Sequence, residues 1–300
     1  MQEIEEALTL ESGACMTISA LRGLSLERLS SFLQIADAGG HARAAPGDPV
    51  RQSQLSRQLK DLESALGQQL FLRTGLGMQL TPAGTALAKV VRELGQGLSD
   101  VSAGERGPVK VSLGAGDSVL QWLVLPRLGS LGAALVAVEL DLGAYGSDGV
   151  VSALLEHRLD LGLLRSTEEA GELKVARLGK ISYAVFSASG HGKLPLAVPT
   201  TERALESALK ELGPAALRCE TFPQVAQAVR SGSFAGVLPT FARELLPAAQ
   251  FRMTVVPALE AVATSLTLAW RPRTLELRPQ VKALQTALKV QLRQALEKFA

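Results

Sequence analysis

The stretch Arg51-Gln-Ser-Gln-Leu-Ser-Arg-Gln-Leu-Lys-Asp-Leu-Glu63, followed by Leu66-Gly67 and by Leu70-Phe71-Leu-Arg-Thr-Gly-Leu-Gly-Met-Gln-Leu-Thr-Pro-Ala-Gly84, decides the fold of the first part of this chain. Leu55, Leu59, Leu62 and Leu66 recur at i, i+4, i+7 and i+11, so the spacing predicts a helix with one buried apolar stripe. Gln52, Ser53, Gln54, Ser56, Arg57 and Lys60 fall largely off that stripe. Short hydrogen-bonding side chains at a helix start reach base edges in a major groove without a long entropic tether. Gly67 suits a helix C-cap, where a left-handed residue is needed. Phe71-Leu72 and Gln79-Leu80, separated by Gly75 and Gly77, predict a hairpin whose glycines admit positive φ.

Upstream, Leu26, Leu29, Phe32, Leu33 and Ile35-Ala36 predict an amphipathic helix, and His41-Ala-Arg-Ala-Ala45 begins a short second one. Residues 25–84 therefore read as a winged helix-turn-helix, with residues 1–24 as a mobile acidic extension and Met16 as an alternative start. Downstream, Leu87, Val91, Leu94, Leu98 and Val101 step by four, three, four and three, the a/d seam of two helices packed along their length. Thr81 as N-cap and Pro82 in the first turn open that helix. Its seam has two readings: burial against its own domain, or a dimer contact over the linker at 85–106. The second is favoured, because a module this small cannot cover so long a stripe and because two-fold operators need two recognition helices.

Residues 107–300 alternate strand and helix. Val109–Gly114, Ala134–Leu142, Leu159–Leu164 and Tyr183–Phe186 read as strands, with helices over Val119–Ser130 and Asp148–Glu156. A second series follows: strands at Leu196–Val198, Arg218–Glu220, Phe234–Pro239, Val255–Val256 and Leu266–Trp270, and helices at Thr201–Leu212, Phe222–Ser231 and Pro279–Phe299. This is an α/β pattern built on parallel strands. Ligands in such folds lie beyond the carboxyl ends of strands, beside helix N-termini. That places Gly116, Asp117 and Ser118, then Tyr145 and Ser147, then Arg165, and from the second series Thr221, Phe222 and Pro239, as candidate ligand contacts. Ser118, Ser147 and Thr221 are equally suited to be plain N-caps.

Phe32 with Gly39-Gly40, Ala44-Ala45, Gln52, Leu55-Ser56-Arg57, Leu62-Glu63, Leu66-Gly67, Leu70-Phe71, Arg73-Thr74, Gly77, Leu80-Thr81 and Gly84 occur in an order and spacing that resembles the LysR-type transcriptional regulators, without a gap. The resemblance implies an N-terminal winged helix-turn-helix, a linker helix and a C-terminal two-lobed α/β domain similar to type 2 periplasmic binding proteins. In that comparison lobe I covers 107–184 and 260–300 and lobe II covers 185–259. It further implies a cytoplasmic regulator that binds double-stranded DNA as a homodimer or homotetramer and answers to a small-molecule effector, with an anionic metabolite expected. Arg57, Lys60 and Arg73 would hold phosphates, Ser53 and Gln54 would read bases, and Arg51 would hold a phosphate or read a base, with Gln52, Ser56 and Thr74 beside them in the DNA-binding set.

The chain departs from that pattern at Pro46-Gly-Asp-Pro49. Proline costs ~3 kcal/mol inside a helix, so the second helix should stop near Ala45 and Asp48 should cap the third. Leu76 stands where a basic wing residue is common. These changes keep open a second reading, a ligand sensor or adaptor whose helix-turn-helix no longer grips DNA.

The bulk numbers exclude other classes. Net charge is +2, so DNA binding must come from local placement of Arg and Lys. Cys15 and Cys219 form no disulfide framework, and Cys219 reads either as a redox sensor or, in the plainer view, as a half-buried structural residue. His41, His157 and His191 are the only histidines; none has a second His or a Cys at metal spacing, so no metal and no cofactor is expected. Hydrolase, phosphate-loop and dinucleotide motifs are missing, which argues against an enzyme. No apolar run approaches the ~18 residues of a membrane span.

Overall fold

The computed structural model describes residues 24–75, 77–103, 107–165, 172–190, 192–200, 202 and 205–299. The predicted extension before Leu24, with Cys15 and Met16, and the wing residue Leu76 lie outside the described residues. The chain divides into two compact units, Met1–Gln96 and Gly97–Ala300.

In the first unit, α1 (Leu26–Ala38), α2 (His41–Ala44) and α3 (Pro49–Leu66) precede a hairpin of β1 (Phe71–Thr74) and β2 (Gly77–Leu80), and α4 (Pro82–Ala103) follows, its residues from Gly97 onward belonging to the second unit. Phe32, Ile35, Leu55, Leu59, Leu62, Leu70 and Phe71 make the core, with the Phe32 and Phe71 rings 5.6 Å apart. The second helix stops at Ala44, as the prolines require. The Asp48 carboxylate accepts the Arg51 N–H at 2.9 Å and Pro49 fills the first helical position, so the unusual turn caps α3. Gly67 ends α3 at φ 63°. Thr81 accepts the Gly84 N–H at 3.0 Å, starting α4 where expected. A Cβ at Gly84 would overlap the Leu70 carbonyl oxygen, so only glycine lets α4 pass this close to the entry of β1.

The predicted seam on α4 is not uniform. Val91 is 7% exposed and so already buried within its own protomer, and Leu87 is half-buried against the core of the winged module. Val91 is therefore a core residue, a correction to its assignment as a dimer contact. Leu94, Leu98 and Val101 remain exposed, joined on that face by Val90.

The second unit holds two five-stranded sheets. Its elements run β3 (Val109–Ala115), α5 (Asp117–Val119), α6 (Ala133–Val136), β4 (Val138–Ala144), α7 (Ser147–Leu155), β5 (Leu161–Arg165), β6 (Lys174–Ile181), β7 (Tyr183–Ala188), β8 (Leu196–Pro199), α8 (Glu206–Leu212), β9 (Ala215–Cys219), α9 (Phe222–Arg230), β10 (Ala235–Pro239), β11 (Phe251–Thr254), α10 (Pro257–Glu260), β12 (Thr264–Trp270), α11 (Pro272–Leu277) and α12 (Pro279–Glu297). One sheet has the order β4-β3-β5-β12-β6 and the other β11-β7-β10-β8-β9. β3 pairs in parallel with β4 and β5, and β8 pairs in parallel with β9 and β10; the remaining pairings are antiparallel. Val281, Leu284, Leu288, Leu292 and Leu296 form the buried stripe of α12.

The structure differs from the expectations at several points. The chain passes between sheets at Ser182, so Tyr183 and Ala184, expected in lobe I, belong to β7 of the other sheet. The predicted strand at Val255–Val256 lies at Phe251–Thr254 instead. The predicted helix from Val119 to Ser130 becomes a π-type turn at Leu120–Val124 and a 3₁₀ stretch at Leu125–Leu131. Pro126 supplies the reason: it has no N–H to continue the α ladder. Arg127 compensates by donating to the Trp122 and Leu123 carbonyls at 3.2 and 3.0 Å.

Candidate functional sites

Burial of Leu55, Leu59 and Leu62 turns the other side of α3 outward. Ser53, Gln54, Arg57 and Lys60 are exposed, and Arg57 and Lys60 have no side-chain partner among the described residues. Arg73 and Thr74 stand exposed on β1. Arg51 and Ser56 are half-buried. The Arg51 guanidinium donates to Gln54 at 2.9 Å and to Gln34 at 3.0 Å, and Gln34 donates to the Ala44 carbonyl at 3.1 Å. Arg51 thus braces Gln54 and crosses to α1. Gln34, which sequence reasoning missed, completes this fan at the start of α3. Gln52 is corrected in role: its amide donates to the Ala45 carbonyl at 2.8 Å, holding the proline turn rather than projecting outward. Beneath the wing, burial lowers the His41 pKa, the Arg73 charge lowers it further, and Glu63 opposes both.

The second site is a cavity of about 760 Å³ between the two sheets, within the range of small-molecule sites. The carboxyl ends of β3, β4, β5, β8 and β9 converge on it. Gly116, Asp117, Ser118, Tyr145, Ser147, Arg165, Thr221 and Phe222 all line it, so these sequence-predicted residues meet in one place. Pro239 is not in the lining; it is buried in β10, paired with Tyr183. Tyr183, Thr200, Glu202, Glu220 and Thr264 also line the cavity and were missed, since only the folded topology brings them there.

The lining side chains divide into committed and uncommitted groups. Ser147 Oγ accepts the Arg165 N–H at 3.2 Å. Thr221 caps α9 in a reciprocal box with Gln224. Both hydroxyls therefore serve local structure. Ser118 is 7% exposed and its hydroxyl has no hydrogen bond among the described residues. The Arg165 guanidinium is ion-paired with Glu202, lies 3.4 Å from the Tyr183 hydroxyl, and sits 6.0 Å from the centre of the Phe222 ring. Phe222 in turn stacks on Tyr183 at 5.9 Å. Burial alone would lower the Arg165 pKa; Tyr183 and Glu202 outweigh it, so the net shift is upward and the charge is permanent. Tyr145 lies over Gly143, where a Cβ would overlap its ring. Cys219 is buried, which pushes its thiol pKa up and disfavours the reactive thiolate. Among the described residues there is no His, Cys, Asp and Glu group that could hold a metal ion, and no helix long and apolar enough to cross a membrane.

Residues 26–85 match the bacterial regulatory helix-turn-helix proteins of the lysR family, and residues 103–293 match the LysR substrate binding domain. A helix-turn-helix transcriptional repressor of Pseudomonas aeruginosa (strain UCBPP-PA14) is 30% identical over 140 residues, 45% of this chain and 43% of the relative. The alignment thus spans less than half of that relative's length. Among solved structures, a full-length OxyR variant from Pseudomonas aeruginosa superposes with a TM-score of 0.63 at 17% identity, covering 89% of this chain and 95% of that one. Full-length CbnR complexed with its target DNA gives 0.56 at 19% identity, covering 88% and 100%. At these identities the structural likeness speaks for the fold. With a family match over most of its length, the chain belongs to the LysR family of transcriptional regulators, which are not enzymes.

Proposed function

We propose that this regulator binds double-stranded DNA in a sequence-dependent manner, as a cytoplasmic homodimer or homotetramer, and that a small molecule in the inter-sheet cavity sets its activity. The observation that carries this reading is the division of α3, with Leu55, Leu59 and Leu62 inside and Ser53, Gln54, Arg57 and Lys60 outside. Ser53 and Gln54 read base edges in the major groove. Arg57, Lys60, Arg73 and Thr74 hold phosphates and fix register. Arg51 orients Gln54 and so acts on readout at one remove. The exposed face of Leu94, Leu98 and Val101 with Val90 pairs two protomers, each bringing one recognition helix to a half-site. Because the proline turn caps α3 instead of disrupting it, the reading as a DNA-blind adaptor gains no support.

The cavity draws its walls from both sheets. An effector that binds one spacing of the two sheets better than another shifts the population toward it, and with it the spacing of recognition helices. The test is selection of bound fragments from genomic DNA at low ionic strength, with wild-type protein and Gln54→Ala. Wild type should enrich a two-fold symmetric site, and Gln54→Ala should bind with relaxed preference. Enrichment of no fragment by wild type would sink the proposal.

A further inference from the structure

The charge of the cavity points to the chemistry of its occupant, an inference that rests on the effector reading above. Among the described residues, Arg165 is the single cationic side chain in the lining, against the carboxylates of Asp117, Asp148, Glu202 and Glu220. That guanidinium is already engaged by Glu202, whose side chain is only 13% exposed. An anionic guest at Arg165 would share a guanidinium whose charge Glu202 already compensates, so the pair offers it little net positive charge. The resemblance-based expectation of an anionic metabolite therefore meets an occupied cation.

Among the described residues of the lining, Asp117 and Asp148 have no such counter-ion. The Asp117 carboxylate accepts only from the neutral Gln121 amide, at 2.8 Å. Both residues lie in first helical turns, where the helix dipole offers about half a positive charge, less than a carboxylate carries. Two polar groups await a partner. The Ser118 hydroxyl lies in the lining, its residue more than nine-tenths buried, with no hydrogen bond among the described residues. Thr264 Oγ1, also in the lining, is buried and has no partner among the described residues. Each hydroxyl can accept from an N–H donor. The half-buried Tyr145 ring supplies a face that suits an alkyl stem or a cation.

We infer that the cavity takes a small organic cation, an amine or guanidine on a short apolar stem, whose charge is met by Asp117 and Asp148 and whose N–H is accepted by Ser118. The experiment uses the full chain in isothermal titration and thermal-shift assays with agmatine and putrescine as cationic probes and benzoate and succinate as anionic ones. The cations should bind and raise Tm, and the anions should not. Asp117→Asn and Asp148→Asn should each weaken cation binding by about fivefold or more, the upper range of an accessible ion pair. Asp148 is exposed, so its variant tests charge without disturbing the core. Binding of the carboxylates alone would overturn the inference and leave the cavity standing as an effector site. Cation binding that ignores both substitutions would place those probes elsewhere and also overturn it. Silence from all four probes at millimolar concentration counts against the cavity as an effector site, and this inference falls with it.

Discussion

Arg278 offers the sharpest test of how the second unit is held together. It is 6% exposed and joins three elements: its guanidinium donates to Asp100 on α4 at 2.6 and 3.1 Å, to Asp160, and to the Lys110 carbonyl on β3 at 2.5 Å. Asp160 is 1% exposed and otherwise accepts only from Ser112, through the N–H at 2.9 Å and the hydroxyl at 3.1 Å. Arg278→Met keeps the stem and removes the charge, so Asp160 becomes a buried carboxylate without a cation. Breaking a buried pair from one side costs about 3–5 kcal/mol. For a unit of this size each kcal/mol lowers Tm by about 2–4 °C, so a fall of roughly 6–20 °C is expected. Asp160→Asn added to Arg278→Met removes the stranded charge but keeps an acceptor for Ser112, and should recover about half of the loss. Urea denaturation and calorimetry of the two variants measure both quantities. A single variant within about 1 kcal/mol of wild type, or a double variant no more stable than the single, would refute the buried-charge argument.

Three further outcomes are expected. Gln52→Ala should lower the stability of the winged module by about 1 kcal/mol through loss of its bond to Ala45, with base preference unchanged; preference relaxed as far as in Gln54→Ala would contradict the roles given to the two glutamines. Leu94→Asp with Leu98→Asp should shift the protein toward monomer in sedimentation, whereas Val91→Ala should cost about 2 kcal/mol of stability and leave assembly intact. His41 has a folded-state pKa below its ordinary value, so its contribution is fully present above pH ~6.5 and is lost as pH falls through the lowered value. Melting of wild type should therefore drop more steeply between pH ~7 and ~5 than melting of His41→Gln, and parallel curves would contradict this.

Much of the first unit was legible because its signals are local. Asp48 three residues before the Arg51 N–H, Gly67 after Leu66, and Thr81 before Pro82 each announce a helix end by chemistry that acts within one turn. The apolar stripe of α3 follows from spacing alone. Val91 shows the limit: its heptad position is shared by a coiled-coil seam and by a helix lying on its own domain, and only its burial in the folded protomer decides between them. β6 escaped because Lys174, Arg177 and Lys180 interrupt it, as charges do in edge strands, and it lies at the edge of its sheet. The cavity was half legible. Residues following strand ends could be found from the βα pattern, including Ser118 and Arg165. Thr264 comes from a chain position far from its neighbours in the lining, and nothing local marks it. Gln34 was hidden for the same reason, since its link to Arg51 crosses from α1 to α3.

The salt dependence of DNA binding bears most directly on the outward face of α3. Affinity for a selected fragment is measured by fluorescence anisotropy across a range of salt, for wild type and for Arg57→Ala with Lys60→Ala. If these two cations hold phosphates, the double variant should bind more weakly on every sequence, and the slope of log affinity against log salt should shrink by about two for each protomer on the DNA. An unchanged slope, with affinity retained, would mean that α3 does not present this face to the duplex.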